Sequence, residues 1–321
     1  MSLQPWLADN WRQLDAALAQ QRLHHGLLFV APAGYGKRVL ATALAVAALC
    51  QQRQPDGHAC GRCRACLLFA AGTHPDFTRV TFELRDDGKP RTEITIDQMR
   101  ALSQRLAMAS QFGGLQIALV DPADRLNASA ANALLKTLEE PATATILLLV
   151  ADDPSRLPAT IRSRCQRIDV RAPTREEALA WLRGQRLGEA DAGAALDASL
   201  GNPGRALAWS ADDTLALRNA CAEDLAALAH GRRRALDVAE SWAADRPDAR
   251  LWFAAVLARD EAQRLARGEA ARFGLTARGE IPKLAAWFGR ANVARGLLTT
   301  TVRTDLVLLD LLRAWSTPAN Q

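Results

Sequence analysis

Three short, predominantly apolar runs, with Ile117–Val120 and Ile146–Ala151 as the longest clean stretches, constrain this 321-residue chain more than any other feature. Gly26–Ala31, Leu115–Val120 and Ile146–Ala151 are strand-sized and have no polar face. A strand of that kind must be covered on both sides, as in a parallel sheet packed between helices. Helical patterns stand between the runs. Val39–Leu49 is rich in alanine and leucine, Asp97–Ser110 has helical spacing with Asp97 as the expected N-cap, and Asn127–Glu139 stops at Pro141. Asp76–Phe82 and Gln166–Val170 are further strand candidates. Strands alternating with helices need crossover connections, so residues 1–170 are expected to form a doubly wound α/β domain.

The character changes after Pro173. Thr174-Arg-Glu-Glu177 has the form of a capping box, and the chain to Ser210 reads as a few short helices. From Ala211 onwards Ala, Leu and Arg recur at helical spacing without a strand. The expected division is an α/β domain at 1–170, a small helical lid at 171–210 and an all-α domain at 211–321. Asp86–Pro90 is expected to be an exposed turn, Ser316–Gln321 a frayed tail, and the tryptophans, among them Trp209, Trp242, Trp252, Trp287 and Trp315, core residues.

Charge narrows the partners. Forty basic against thirty-five acidic side chains give +5, which permits contact with nucleic acid without demanding it. Only four of the basic residues are lysines, Lys37, Lys89, Lys136 and Lys283, so each position is informative. No apolar run reaches the roughly 18 residues of a membrane span, and the start lacks a secretory pattern. A cytoplasmic protein without membrane contact is expected, and in a reducing compartment clustered cysteines point to metal before disulfides.

The turn after the first strand is Ala31-Pro-Ala-Gly34-Tyr-Gly36-Lys37-Arg38. A phosphate-binding loop needs glycines that let backbone N–H groups close on phosphate, a lysine for the phosphate oxygens and a hydroxyl for Mg²⁺. Gly34, Gly36 and Lys37 are in place. The opening glycine is Ala31, however, and the hydroxyl position is Arg38, which cannot ligate a cation. A second strand in such proteins ends in an Asp for Mg²⁺ followed by a Glu that polarises water. Here Asp121 is followed by Pro122, and nothing predicts that Asp124 reaches the same place. Two independent positions thus argue against hydrolysis, leaving a structural loop or, at most, weak ATP or ADP binding.

Cys50, Cys60, Cys63 and Cys66 follow one another as C-x9-C-x2-C-x2-C on a stretch with Pro55, Gly57 and Gly61. Four thiolates can complete a tetrahedral shell, so structural zinc is expected, with an iron–sulfur cluster as the rival. His58 and His74 lie nearby but are expected to pack rather than ligate. Near the end of the α/β region, Arg162, Arg164 and Arg167 are either a solvated basic face or, at Arg164, an arginine that reaches a neighbouring site. Cys165 reads as a small packing residue.

Together these segments carry a resemblance. HGLLFVAPAGYGK (25–37), the four cysteines, AGTHPDF (71–77), NALLKTLEEP (132–141), DDPSRLPATIRSRCQ (152–166) and GNPGRAL (201–207) resemble the bacterial clamp-loader ATPases of the DNA polymerase III holoenzyme. The likeness covers roughly residues 20–210. It implies an AAA+ module with a zinc-binding insert, a lid and a C-terminal collar, assembled in a ring with delta and gamma/tau subunits. It also implies a role in loading a sliding clamp onto primed DNA without sequence preference. Cys50, Cys60, Cys63 and Cys66 match the family's zinc ligands, and Ser163-Arg164-Cys165 matches its arginine-finger motif. Ala151-Asp152 stand where motor subunits carry a threonine pair, and Gly204 stands at the lid's sensor arginine, with Arg205 one place late. These departures fit the family's non-hydrolysing stator. Two rivals remain: a self-sufficient ATPase motor using Lys37 and Asp121, and a DNA-binding module with Arg232-Arg233-Arg234 as its footprint.

Overall fold

The computed structural model describes residues 3–84, 88–89, 91–273, 280–298, 300 and 302–316. Two compact units emerge, one formed by Met1–Gln185 with Asn202–Arg205, the other by Arg186–Gly201 with Ala206–Gln321.

The first unit is a five-stranded parallel sheet in the order β2-β3-β4-β1-β5. Its strands are β1 (Gly26–Val30), β2 (Phe77–Val80), β3 (Gln116–Val120), β4 (Thr145–Ala151) and β5 (Gln166–Asp169). Every residue of β1, β3 and β4 is buried, which is why those runs are apolar on both faces. The exposed pattern belongs to the edge strands β2 and β5. Alternation along the strands splits the core in two. Leu27, Phe29, Leu119, Leu148 and Val150 pack with helices α1 (Ala8–Ala19) and α2 (Lys37–Leu49). Leu28, Val120, Leu147 and Leu149 face the opposite way, with Met99, Leu102, Leu134 and Leu138. Each fully buried leucine there is worth about 1.5–3 kcal/mol of transfer free energy.

Helix α3 (Arg64–Ala70) follows the cysteine loop, and α4 (Ile96–Leu106) and α5 (Ala128–Glu139) are the helices behind the second core. The sequence places the start of α4 two residues too late. Its N-cap is Thr95, in a capping box with Gln98, whose side chain accepts the Thr95 N–H at 3.0 Å and donates to the Thr81 carbonyl at 2.8 Å. Asp97 lies in the first turn with its side chain in solvent. The helix also ends earlier than Ser110. Beyond it the chain is drawn to the buried Asp76 carboxylate, which accepts from Ser110 Oγ, Gln111 N and Phe112 N at 2.8–3.0 Å. Asn127, read from the sequence as the first residue of a helix, is instead the N-cap of α5 and accepts from Ala130 N at 2.8 Å. The turn expected at Asp86–Pro90 falls partly outside the described residues, as do residues 317–321 of the expected tail.

Short helix α6 (Ala159–Arg162) precedes β5, and α7 (Arg175–Gly184) opens on the capping box of Thr174 and Glu177. Then follow α8 (Glu189–Ala198), α9 (Pro203–Ser210), α10 (Ala216–Ala229), α11 (Ala235–Ala244), α12 (Pro247–Ala266), α13 (Ile281–Leu297) and α14 (Thr304–Ser316). The second unit is helical throughout its described residues. Trp242, Trp287 and Trp315 lie in its core, each with its indole N–H satisfied: by Asp224 Oδ2 at 2.8 Å, by the Leu311 carbonyl and by the Leu225 carbonyl, both at 2.9 Å. Trp209 and Trp252 are half-buried against that core. Among the described residues, no helix is long and apolar enough to cross a membrane.

The two readings of the α4 start separate experimentally. Gln98→Ala strands the Thr81 carbonyl and the Thr95 N–H, and chemical denaturation followed by circular dichroism should show a loss of about 1–3 kcal/mol. Asp97→Ala should stay within about 0.5 kcal/mol of wild type.

Candidate functional site

The loop between β1 and α2 lies at the carboxyl end of the sheet, where ligands of open α/β folds bind. Register builds the site. Val30 of β1 pairs with Ala151 of β4, so the loop that leaves β1 starts level with Asp152. Val120 of β3 pairs with Leu149 of β4, which brings Asp121 to the same end of the sheet, two residues short of Asp152 in register. Gly36, the N-cap of α2, has φ +87°, a conformation that favours glycine and that turns the chain into the helix at Lys37.

What fills this cradle is the protein's own charge. Lys37 is 1% exposed, and its ammonium donates to Asp152 Oδ1. Arg38 spans both carboxylates, with Nε on Asp121 at 2.8 and 3.1 Å and its two terminal nitrogens on Asp152 at 3.0 and 3.1 Å. Arg79 reaches Asp121 from the β2 edge at 3.4 Å. Burial opposes charge on both Lys37 and Asp152. It lowers the lysine's pKa despite the pull of Asp152, whereas the hydrogen bonds from Arg38 and Lys37 overcome it at Asp152 and hold that carboxyl below its ordinary value of 3.8. Asp124, which the sequence left without a role, is buried and accepts the Asp153 N–H at 3.0 Å, fixing the backbone just after Asp152.

The loop is closed from a second side as well. Asn202 Nδ2 donates to the Ala33 carbonyl at 2.7 Å, and Gly204 N donates to the Gly34 carbonyl at 3.1 Å. A Cβ at Gly204 would lie 2.6 Å from Gly34 Cα, so an arginine at the expected sensor position has no room beside this loop. Both cations of the loop, Lys37 and Arg38, are thus bonded to carboxylates, and position 38 offers no hydroxyl to a metal ion.

Arg164 belongs to a different locus. It follows α6, half-exposed, with Nη2 on Glu139 Oε1 at 2.7 Å and Nη1 donating to the Thr160 carbonyl at 3.1 Å. Ser163 is exposed and donates to the same carbonyl at 3.1 Å. Cys165 packs inward, so close to β1 that a Cβ on Gly26 would lie 3.3 Å from its sulfur. Burial pushes its thiol up to about 11, which keeps it protonated and inert.

The four cysteines come together. Among the described residues they are the group able to hold a metal ion, their sulfurs all within 4.8 Å of one another. Tetrahedral Zn–S bonds of about 2.3 Å place sulfurs about 3.8 Å apart, and Cys50 and Cys63 are 3.9 Å apart. Backbone N–H groups point at the sulfurs: Cys60 N at Cys50 and Cys63 N at Cys60, both 3.3 Å, and Cys66 N at Cys63, 3.5 Å. At Cys63 burial opposes ionisation, but the N–H groups of Cys66 and Gln51 outweigh it and the thiol falls to about 6. This donor set is compatible with a closed zinc shell. His58 instead stacks on Trp11 with ring centroids 4.3 Å apart, and His74 is buried and accepts from Asp76 N.

A family model described as the DNA polymerase III delta subunit matches residues 6–174, just over half of the chain. The chain belongs to this family. Its relatives there include the DNA polymerase III delta-prime subunit of Pseudomonas aeruginosa, 44% identical over 178 residues, or 56% of this chain and 52% of that one. The delta-prime subunit of Escherichia coli K12 is 40% identical over 219 residues, 66% of this chain and 64% of that one. The tau subunit of Bacillus subtilis is 31% identical over 163 residues, 51% of this chain and 27% of that one. The matched part of the chain therefore spans about half to two-thirds of the length of the delta-prime relatives. Among solved structures, a gamma-subunit-related protein of Thermotoga maritima aligns over 95% of this chain and 98% of its own, at 15% identity and a TM-score of 0.47.

The charge cluster makes a stability prediction. Asp152→Ala removes the partner of the buried Lys37 ammonium but opens it to water, since Asp152 is 37% exposed, and should cost about 1–3 kcal/mol; Lys37→Met, which leaves Asp152 on Arg38, should cost less. Because the folded pKa of Asp152 lies below its unfolded value, its contribution is complete above about pH 4 and is lost as pH falls through the folded value. Denaturant midpoints of Asp152→Ala should therefore fall less steeply than wild type below pH 4.

Proposed function

We propose that this chain is the non-hydrolysing stator of a DNA polymerase III clamp loader and supplies Arg164 as an arginine finger to a neighbouring ATPase subunit. The internally neutralised cradle carries the reading. A motor needs a free lysine, a hydroxyl and a catalytic glutamate, whereas Lys37 is held by Asp152, position 38 is an arginine and position 122 a proline. Arg164 and Ser163, by contrast, are accessible at the surface, Arg164 on a pair with half-exposed Glu139 that is worth no more than about 1 kcal/mol. A planar guanidinium can leave such a partner and place two hydrogen bonds on a neighbour's phosphate oxygens.

In this reading residues 1–170 are an AAA+ module, 171–210 its lid and 211–321 a collar that assembles with gamma/tau and delta subunits. The ring holds the sliding clamp and primed DNA, in the cytoplasm. Cys50, Cys60, Cys63 and Cys66 hold a structural zinc, which ties the loop before α3 to the end of α2; with all four positions filled by protein, the ion has no catalytic vacancy.

Two measurements test these roles. Purified chain should contain about one zinc and lose it in Cys63→Ser; elemental analysis finding iron with sulfide, or no metal, overturns the assignment. In a loader reconstituted with gamma/tau and delta, Arg164→Ala should lower DNA-stimulated ATP turnover several-fold while co-elution shows intact assembly. That is less than the about 10³–10⁵ of a sole arginine finger, because other sites in the ring retain theirs. Arg164→Lys should be impaired too. Unchanged turnover, or ATP hydrolysis by the isolated wild-type chain, rejects the proposal.

A further inference from the structure

A missing hydroxyl at position 38 and a missing glutamate at position 122 bear on hydrolysis but leave phosphate binding open. The backbone loop, the α2 N-terminus and Lys37 are all retained, and these alone attract anions. The geometry points to a different cause of exclusion. We propose that Asp152 is a resident anion: its carboxylate occupies the phosphate cradle, so the chain refuses phosphate ligands by charge and gains a site for them when that one carboxylate is neutralised.

Three observations support this. First, Asp152 engages the cations that would serve a phosphate, the Lys37 ammonium through Oδ1 and both terminal nitrogens of Arg38 through Oδ1 and Oδ2. A carboxylate bound bidentately by guanidinium mimics the way phosphate is held. Second, the carboxylate is delivered by built structure. It follows the last residue of β4, in register with the end of β1, and its following peptide is pinned by buried Asp124. Third, charge opposes entry. Lys37, Arg38 and the outer Arg79 all face Asp121 or Asp152, so an incoming phosphate meets two like charges and no cation of this cluster without a carboxylate. Without the Asp152 charge the same cradle has two cations against one carboxylate, with Arg79 at its rim. The ligand class is a small polyanion bearing phosphoryl oxygens, bound without metal, since position 38 supplies no hydroxyl.

The inference concerns the cradle alone and is independent of Arg164, so either can fail without the other. The test is calorimetric titration of the full chain with pyrophosphate in metal-free buffer at about 0.15 M salt, where surface charges are screened within about 8 Å. Wild type, Asp152→Asn and the double variant Lys37→Met/Asp152→Asn are compared. Asp152→Asn should bind pyrophosphate at least about tenfold more tightly than wild type, the effect expected of a charged hydrogen bond regained. Its thermal midpoint should rise with pyrophosphate while that of wild type stays put, and the gain should vanish in the double variant. A folded Asp152→Asn that binds no better than wild type, or a gain that survives in the double variant, overturns the proposal. Should Asp152→Asn not fold, Asp152→Thr is titrated in its place. If neither folds in buffer, recovery of the native circular dichroism spectrum on adding pyrophosphate supports the proposal, and no recovery overturns it.

Discussion

A buried ammonium must have a counter-ion. Lys37 sits at the start of a helix in the sheet's first crossover, buried, and desolvating a charge there without a partner costs several kcal/mol. In a nucleotide-binding relative of this fold, phosphate can meet that need. Here Asp152 does so from within, and the rest of the cradle is arranged around the substitution: Arg38 cross-links the two carboxylates, Asp124 holds the turn, and Asn202 and Gly204 close over the loop. The chain can therefore keep a rigid phosphate-loop architecture in the absence of ligand.

Much of this was legible in the sequence, for physical reasons. The strands β1, β3 and β4 announce themselves because a layer covered on both faces is apolar almost throughout, with polar Gln116 and Thr145 at the first positions of β3 and β4. The cysteine cluster is legible because thiolates at that spacing have few other uses in a reducing compartment. Arg38 and Pro122 stand out because a guanidinium cannot ligate a cation and a prolyl ring cannot polarise water. The edge strands are less visible, since only Ile168 of β5 is buried and alternation over four residues carries little information. The start of α4 was misplaced because Asp97 is a good capping residue by type; the Thr95…Gln98 pair two residues earlier was the better signal.

What the sequence did not disclose is long-range. Asp152 could be noted as an odd residue where a threonine pair was expected, yet its pairing with a lysine 115 positions away follows only from strand order and register. The same holds for Arg79 on Asp121, Asp124 on Asp153 and Glu139 on Arg164. Each joins segments brought together by the crossover topology, and no local spacing rule encodes it. Gly204 shows the limit from the other direction: the missing arginine is visible in the sequence, but the backbone contact that forbids one is visible only in three dimensions.

That contact has a mechanical consequence. With Gly34 and Gly204 meeting main chain to main chain, no side chain can be added at position 204 until the loop itself shifts, and the loop is anchored by the Lys37–Asp152 pair. The segment at 202–204 and the loop after β1 thus share one backbone seam, closed by two hydrogen bonds to consecutive loop carbonyls. Such a seam works as a clasp: a change at Gly34 or Gly204 is felt at once by chain far away in sequence, Ala33 and Asn202 being 169 positions apart.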